Sequence, residues 1–198
     1  MILIRPKKLP EVLTEEEQDR LLDQPNPRWV TGERNLALLK LMLDTGLRLS
    51  EATELRWKNV DLRTGKIEVK EGKGGKDRIL WCGELTLERL RSWRQRQTEE
   101  ASERLDHAFT AMSGDALGNP LDNRYVQDMV PRYAERAGIE KRVTPHTLRH
   151  TFATDLLKET GNIRMVQKAL GHAQLSSTMI YTHITDADLE EALKGLRG

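Results

Sequence analysis

A short run of polar and basic residues, Thr144 to Thr154, combines residue types that can bind a phosphate. It reads T-P-H-T-L-R-H-T-F-A-T. Thr144 is a favoured N-cap and Pro145 suits a first helical turn, so the sequence predicts that a helix begins here. His146 and Arg149 lie three positions apart on one face of that helix. Because the N-terminal end of a helix also favours an anion, the run has the outline of a phosphate site.

The same helix allows other interpretations. His146 and His150 could ligate a metal, but the glutamate of an H-E-x-x-H motif is missing and no cysteine pair lies nearby. A lone His-x-x-Arg is also common on solvated helix faces. The residues predicted to form much of the buried side are apolar ones at helical spacing: Leu148, Phe152, Leu156 and Leu157.

A second basic residue, Arg48, falls in a tight connection between two predicted helices. The local sequence is T-G-L-R-L-S-E. Gly46 is expected to end one helix, and Ser50 to cap the next with Glu51 in its first turn. Arg48 would then point away from the inward leucines on either side. It either serves a site or pairs with a nearby glutamate on the surface.

The periodicity changes from helical to alternating at Lys66. The strand-like runs K-I-E-V-K and D-R-I-L-W-C flank the glycine-rich run E-G-K-G-G-K, which predicts a β-hairpin. Lys73 lies at its tip between two glycines, with Lys76 and Arg78 behind it. A P-loop is excluded because the G-x-x-x-x-G-K-[ST] spacing is absent and no helix follows. Lys73 could therefore reach into a groove or an active site, or the turn could be merely polar and exposed.

The rest of the chain supplies the elements that must position these residues. Capping signals and apolar spacing predict further helices at Thr14 to Leu22, Arg34 to Asp44, Leu85 to Leu105, Asp122 to about Ala137, Ile163 to Leu170 and Asp186 to Leu196. The segment His107 to Leu117 predicts a loop with a short strand. The expected fold class is mainly α with a small antiparallel β-sheet (α+β).

Composition and charge limit the kinds of protein that fit. The 198 residues are 32% charged and 37% hydrophobic, which suits one domain with a buried core. The net charge is only +1, but Asp61 to Arg96 holds ten basic against six acidic residues, net +4, so one face could bind a polyanion. A single cysteine, Cys82, favours a reducing compartment, and no apolar run reaches membrane length. We therefore expect a cytoplasmic protein with no membrane segment.

Four separated motifs, taken in order, resemble the catalytic domain of the tyrosine recombinases, also called phage integrases. The motif sequences are most similar to those of Xer-type recombinases and integron integrases. The motifs are Arg48 in T-G-L-R-L-S-E, Lys73 in the glycine hairpin, His146 and Arg149 in H-T-L-R-H, and His172 nine residues before Tyr181 in L-G-H-A-Q-L-S-S-T-M-I-Y-T-H. The resemblance runs from about Leu9 to about Leu196 and implies a recombinase-like fold.

The resemblance implies a chemical role for each matched residue. Arg48 and Arg149 would neutralise the non-bridging oxygens of a DNA phosphate, for which rigid bidentate forks are suited. Tyr181 would be the nucleophile and His146 its base. The product would be a 3′-phosphotyrosyl intermediate with a free 5′ hydroxyl, formed without metal, ATP or cofactor.

The remaining matched residues would act on the leaving group and around the phosphate. Lys73 would protonate the leaving 5′ oxygen, with Lys76 as the alternative. His172 would hydrogen-bond the phosphate. Glu51 would orient an arginine or serve only as a helix-start acid, and His150 would pack behind the site. Four basic residues are further candidates for contacts with the DNA backbone: Arg56, Lys58, Lys76 and Arg78.

The resemblance also implies a domain plan and partners. We expect an N-terminal arm at residues 1–13, a catalytic domain at 14–184 and a C-terminal helix at 185–198. That helix would dock onto a neighbouring protomer of a homo-tetramer on double-stranded DNA, or fold back in cis. The N-terminal DNA-clamping domain common in the family is expected to be absent, as in an excised fragment or a naturally short member. An accessory protein is possible.

Three functions are compatible with these residues. Site-specific recombination through Tyr181 leads. A type IB topoisomerase-like enzyme would share the chemistry but nick and close DNA without exchanging strands. A non-catalytic DNA-binding or regulatory module is the third, although every catalytic position is filled.

Overall fold

The computed structural model describes residues 11–70 and 77–171. Seven α-helices and two strands occur there: α1 (Glu15–Leu22), α2 (Val30–Thr45), α3 (Leu49–Thr53), β1 (Lys66–Val69), β2 (Arg78–Trp81), α4 (Glu84–Ala101), α5 (Asn123–Arg136), α6 (Pro145–Thr160) and α7 (Ile163–Leu170). Two short 3-10 turns add Trp57–Asn59 and Gly114–Ala116. The strands pair antiparallel, with Val69 opposite Arg78. The mainly helical fold with a small antiparallel sheet is thus confirmed.

Helix α2 lies at the centre of the core. It packs against α4 and α6, and its residues Leu38, Leu39, Leu41 and Met42 are completely buried. From Leu36 to Leu43 the helix is apolar except for Lys40, and such a stretch is stable only where neighbours cover it on several sides. The ends of α2 are therefore fixed, and so is the start of the connection from Gly46 to Arg48 that follows it.

Local signals predicted several boundaries correctly. Thr14 caps α1 in a capping box with Glu17, and Thr144 caps α6 with Pro145 in its first turn. Gly46 ends α2 in the left-handed conformation, with φ of 60°. These signals act over a few residues, so they survive whatever tertiary contacts form.

Other predicted boundaries are wrong. Helix α2 begins at Val30 and not at Arg34, and α4 ends at Ala101 and not at Leu105. Helix α3 is capped at Arg48 instead of Ser50. The carboxylate of Glu51 accepts the backbone N–H of Arg48 at 2.7 Å, which takes over the capping role.

The predicted strand near residues 107–117 is also wrong. Within the described chain this segment makes only isolated bridges, such as Thr110 with Pro120, and a 3-10 turn. Three predicted features fall outside the described residues: the N-terminal arm through residue 10, the hairpin tip with Lys73, and everything from His172 onward. Among the described helices, none has the length and apolar character needed to cross a membrane.

The buried side of α6 differs from the prediction. Of the four apolar residues expected there, only Leu148 is fully buried, and the other three are partly buried against α7. Polar Thr147, Arg149 and Thr151 are buried instead, because α6 packs on α2 as well as on α7. His146 is exposed. Exposed His146 and buried Arg149 therefore lie in different surroundings.

Replacing Gly46 with alanine should destabilise the protein more than the same change at Gly161. Both glycines have φ of 60°, so each alanine pays the left-handed strain of about 1 kcal/mol. A Cβ at Gly46 would also overlap the ring of Phe152, whereas one at Gly161 meets no atom within 4 Å. The overlap should add about 1 to 3 kcal/mol. Urea unfolding of both variants measures the difference, and equal losses would contradict the crowding at Gly46.

Candidate functional site

The C-terminal end of α7 collects guanidinium groups from three separate parts of the chain. Each donates to a successive backbone carbonyl: Arg78 Nε to Ala169 O at 2.8 Å, Arg149 Nη2 to Leu170 O at 2.7 Å, and Arg48 Nη2 to Gly171 O at 3.4 Å. Carbonyls at the end of a helix lack partners within the helix and carry its negative dipole end, so they attract cations. The arginines of two distant sequence motifs are thereby brought together with a third.

A carboxylate, Glu51, joins two of these arginines. Arg78 donates to it through Nη1 at 2.9 Å and Nη2 at 2.7 Å, and Arg48 Nη1 donates at 2.8 Å. Burial alone would raise the pKa of Glu51, but the hydrogen bonds from Arg78 and Arg48 outweigh it and lower the pKa to about 2. Glu51 is therefore ionised throughout the physiological range. The predicted contact between Glu51 and an arginine is present.

Arg149 donates to two backbone carbonyls. Nη1 donates to Gly46 O at 2.5 Å and Nη2 to Leu170 O at 2.7 Å, so the side chain links the ends of α2 and α7. Its residue is only 7% exposed. By contrast, 39% of the Arg48 side chain is exposed. The site thus has a rigid inner arginine and a more accessible outer one.

The charge balance of this cluster favours an anion. Among the described residues, the guanidiniums of Arg48, Arg78 and Arg149 gather at this end of α7 with the carboxylate of Glu51, so positive groups outnumber negative ones there. In a partly buried site such a charge is screened less than on an open surface. A phosphodiester carries one negative charge and gains more as it is attacked, so the cluster suits it chemically.

The two histidines of α6 flank Arg149. His146 is exposed in the first turn, and His150 is half-buried one turn later. Burial is the main cause of a lowered pKa at His150, and the nearby charges of His146 and Arg149 lower it further. A lowered pKa favours the neutral imidazole, which can hydrogen-bond without adding charge to the cluster.

The predicted DNA contact of Arg78 does not fit its position. Only 6% of its side chain is exposed, and its fork faces Glu51. Arg78 and Leu80 alternate with exposed residues along β2, so both lie on the inner face of the sheet. The residue types of this strand do not show the alternation, because the exposed positions are the apolar Ile79 and Trp81. Arg56 and Lys58 are exposed, as a DNA contact requires.

Four further predicted residues fall outside the described part of the chain: Lys73, Lys76, His172 and Tyr181. The chain nevertheless connects these residues directly to parts of the described site. Gly171, whose carbonyl accepts from Arg48, immediately precedes His172. Residues 71–76 join β1 to the strand that begins at Arg78.

Replacing Glu51 with glutamine should destabilise the folded protein at pH 7 by about 3 kcal/mol, because two guanidiniums lose their carboxylate. The pKa of Glu51 is about 2 when folded, against 4.5 ordinarily, so its ionised form stabilises the fold above pH 4.5. This contribution is lost as the pH falls from 4.5 to about 2. Urea unfolding across this pH range should show a steeper loss for the wild type than for the variant.

Glu68→Gln is the matched control, because Glu68 forms an ion pair with Lys66 at 2.8 Å on the exposed face of the sheet. Exposed pairs contribute little to stability, so this variant should unfold as the wild type does. Equal behaviour of the Glu51 and Glu68 variants would show that the buried pair is not stabilising.

Comparison with known proteins places the chain in a family. Residues 11–188 match the model of the phage integrase family. Tyrosine recombinase XerC of Xanthomonas campestris pv. campestris (strain B100) is 40% identical over 179 residues, which are 90% of this chain and 53% of that protein. XerD of Halalkalibacterium halodurans is 38% identical over 189 residues, 93% of this chain and 61% of that protein. The chain thus spans about half the length of the curated relatives it matches.

Solved structures agree with this placement. The crystal structure of XerA recombinase superposes with a TM-score of 0.80 at 34% identity and covers 100% of this chain and 68% of that one. The post-cleavage complex of XerH with a palindromic difH substrate gives a TM-score of 0.78 at 34% identity, over 94% of this chain and 53% of that one. Together with the arginine cluster at the end of α7, these matches show that the chain belongs to the phage integrase family.

Proposed function

We propose that the chain cleaves and rejoins double-stranded DNA at a specific site, with Tyr181 as nucleophile. The observation that carries the proposal is the convergence of Arg48 and Arg149 on the end of α7. From that point the sequence runs through His172 to Tyr181. Two fixed guanidiniums beside a nucleophile are what metal-independent attack on a phosphodiester needs.

The proposed reaction exchanges one phosphoester for another. The phenolic oxygen of Tyr181 attacks phosphorus, the bond to the 5′ oxygen breaks, and a 3′-phosphotyrosyl link and a 5′ hydroxyl result. His146 takes the phenolic proton and Lys73 gives one to the leaving oxygen. His172 hydrogen-bonds the phosphate. The incoming 5′ hydroxyl of a partner strand reverses these steps.

The energy of the broken ester is kept in the covalent link, so rejoining requires no ATP or other cofactor. Arg48 and Arg149 supply the positive charge that the transition state needs. The exposure of His146 supports its role, because a base at the surface can meet a bulky DNA duplex.

We further propose a homo-tetramer on DNA, joined through the helix at residues 185–198, and a cytoplasmic location where chromosomal DNA is accessible. The DNA-bound XerH structures support DNA as the partner. Involvement of an accessory protein is compatible with this scheme and is tested by reconstitution from purified components alone.

A suicide-substrate assay tests the proposal. The duplexes are made from repeats that flank the gene in its source genome and are incubated with the 198-residue chain in excess chelator. A labelled duplex nicked beside the cleavage position should give a denaturation-resistant adduct, and a pair of intact labelled duplexes should give a recombinant joint. An adduct on the nicked duplex without exchanged strands in the intact pair would contradict recombination, and binding without an adduct would contradict cleavage.

Arg56 and Lys58 are exposed and remain proposed contacts with DNA phosphates. Replacing either with glutamine should weaken binding to all duplex sequences alike. Each change should also reduce the slope of log affinity against log salt by about 1, because one fewer counterion is released. Fluorescence anisotropy at several salt concentrations measures the slope. An unchanged slope for both variants would show that Arg56 and Lys58 do not contact DNA phosphates.

A further inference from the structure

We propose that Arg78 is a positioning residue for strand cleavage, acting through Glu51 to hold the guanidinium of Arg48 in place. The inference rests on the proposed function, since it concerns the same phosphate. It assigns to Arg78 a role inside the site in place of the DNA contact expected from its charge.

The donors of Arg78 point at Glu51 and at the last turn of α7. Two of its nitrogens form parallel hydrogen bonds with the two oxygens of Glu51, at 2.9 and 2.7 Å, while Nε donates to Ala169 O at 2.8 Å. A bidentate pair fixes the plane of a carboxylate as well as its distance. With only 6% of the Arg78 side chain exposed, this plane is set from within the protein.

The carboxylate that Arg78 fixes is shared with Arg48. Glu51 Oε1 accepts from both Arg78 Nη1 and Arg48 Nη1, and Glu51 Oε2 accepts from the backbone of Arg48. Arg48 is a long side chain that is 39% exposed, so an unsupported partner would let it adopt several rotamers. The Arg78 fork therefore restricts the direction in which Arg48 is held.

The contacts of Arg78 connect three elements of the fold. Arg78 begins β2, Glu51 lies in α3, and Ala169 is in the last turn of α7. Arg78 contacts both of the other two elements. Since misplacing a catalytic group by about 1 Å can cost about 100-fold in rate, a residue that locks these elements should affect the chemical step. It should not affect DNA affinity, because its donors face protein atoms.

The test uses the duplex that the wild-type chain cleaves in the suicide-substrate assay. Single-turnover cleavage at saturating DNA and Kd at several salt concentrations are measured for Arg78→Gln, Arg78→Lys, Glu51→Gln and the Glu51→Gln/Arg78→Gln double variant. Lys66→Gln is the control, because it removes one charge from an ion pair on the exposed face of the same sheet. Thermal unfolding of each variant identifies any loss of folded protein, and the double variant leaves no unpaired carboxylate at Glu51.

Arg78→Gln should slow saturated cleavage by about 10- to 100-fold while Kd and its salt slope stay unchanged. Arg78→Lys should recover part of the rate, since it restores charge without the fork. The double variant should cleave as slowly as Glu51→Gln alone, because both residues act in one chain of contacts. Lys66→Gln should cleave like the wild type.

Different results would overturn the inference separately from the proposed function. Unchanged saturated cleavage, with a weaker Kd and a salt slope reduced by about 1, would make Arg78 a phosphate contact. If the rate loss of the double variant equals the product of the losses of the two single variants, Arg78 does not act through Glu51. If the wild type forms no adduct, the proposed function fails and this inference fails with it.

Discussion

Replacing Arg149 with lysine is expected to slow single-turnover cleavage by about 100- to 1,000-fold, the usual cost of losing one preorganised donor to a developing negative charge. Arg149 spans from Gly46 O to Leu170 O and is nearly buried. A lysine keeps the charge but cannot span both carbonyls and still present a donor to the phosphate. The cost should therefore appear in the rate at saturating DNA.

Arg34→Lys is the matched control for burial. Arg34 is only 2% exposed, and it donates to Thr110 O at 2.9 Å and to Asn35 Oδ1 at 3.0 and 3.1 Å, all away from the arginine cluster. Its replacement should lower stability without slowing saturated cleavage by the folded protein. If the Arg149 variant cleaves at the wild-type rate, or if both variants lose the same activity, Arg149 has no special part in the chemistry.

Replacing Tyr181 with phenylalanine is expected to remove all covalent attachment to DNA. The change deletes one oxygen, so it removes the nucleophile while it keeps the ring. The pKa of a phenol is near 10, so the hydroxyl is a weak nucleophile unless a base and nearby cations assist its attack. Binding of the nicked duplex, measured by anisotropy, should be retained.

Tyr125→Phe is the control for loss of a tyrosine hydroxyl elsewhere. The Tyr125 hydroxyl accepts a hydrogen bond from Asn35 Nδ2 at 3.0 Å, far along the chain from the proposed nucleophile. This variant should form the adduct as the wild type does. An adduct that persists in the Tyr181 variant would assign the attack to another residue.

Short-range signals explain why much of the fold was predictable. The capping box at Thr14, the proline start at Pro145 and the glycine stop at Gly46 each depend on residues within a turn. The paired arginines were predictable because their motifs resemble a family. Their convergence at the end of α7 could not follow from spacing alone.

The supporting contacts were not predictable for a physical reason. Arg78 and Glu51 are 27 positions apart, and Arg48 and Gly171 are 123 apart, so their meeting depends on how strand and helices pack. The acceptors on α7 are backbone carbonyls, which no residue type marks. The burial of Arg78 was not predictable either, since the opposite face of β2 carries Ile79 and Trp81, which are apolar but exposed.

The measurement that tests the central claim most directly is mass spectrometry of the covalent adduct after digestion with trypsin and nuclease. Cleavage after Lys168 and Lys194 releases a peptide, residues 169–194, whose single tyrosine is Tyr181. If Tyr181 is the nucleophile, this peptide carries a 3′-linked nucleotide phosphate and the released strand has a free 5′ hydroxyl. A phosphate linked to any other peptide, or through the 5′ end of the DNA, would contradict it.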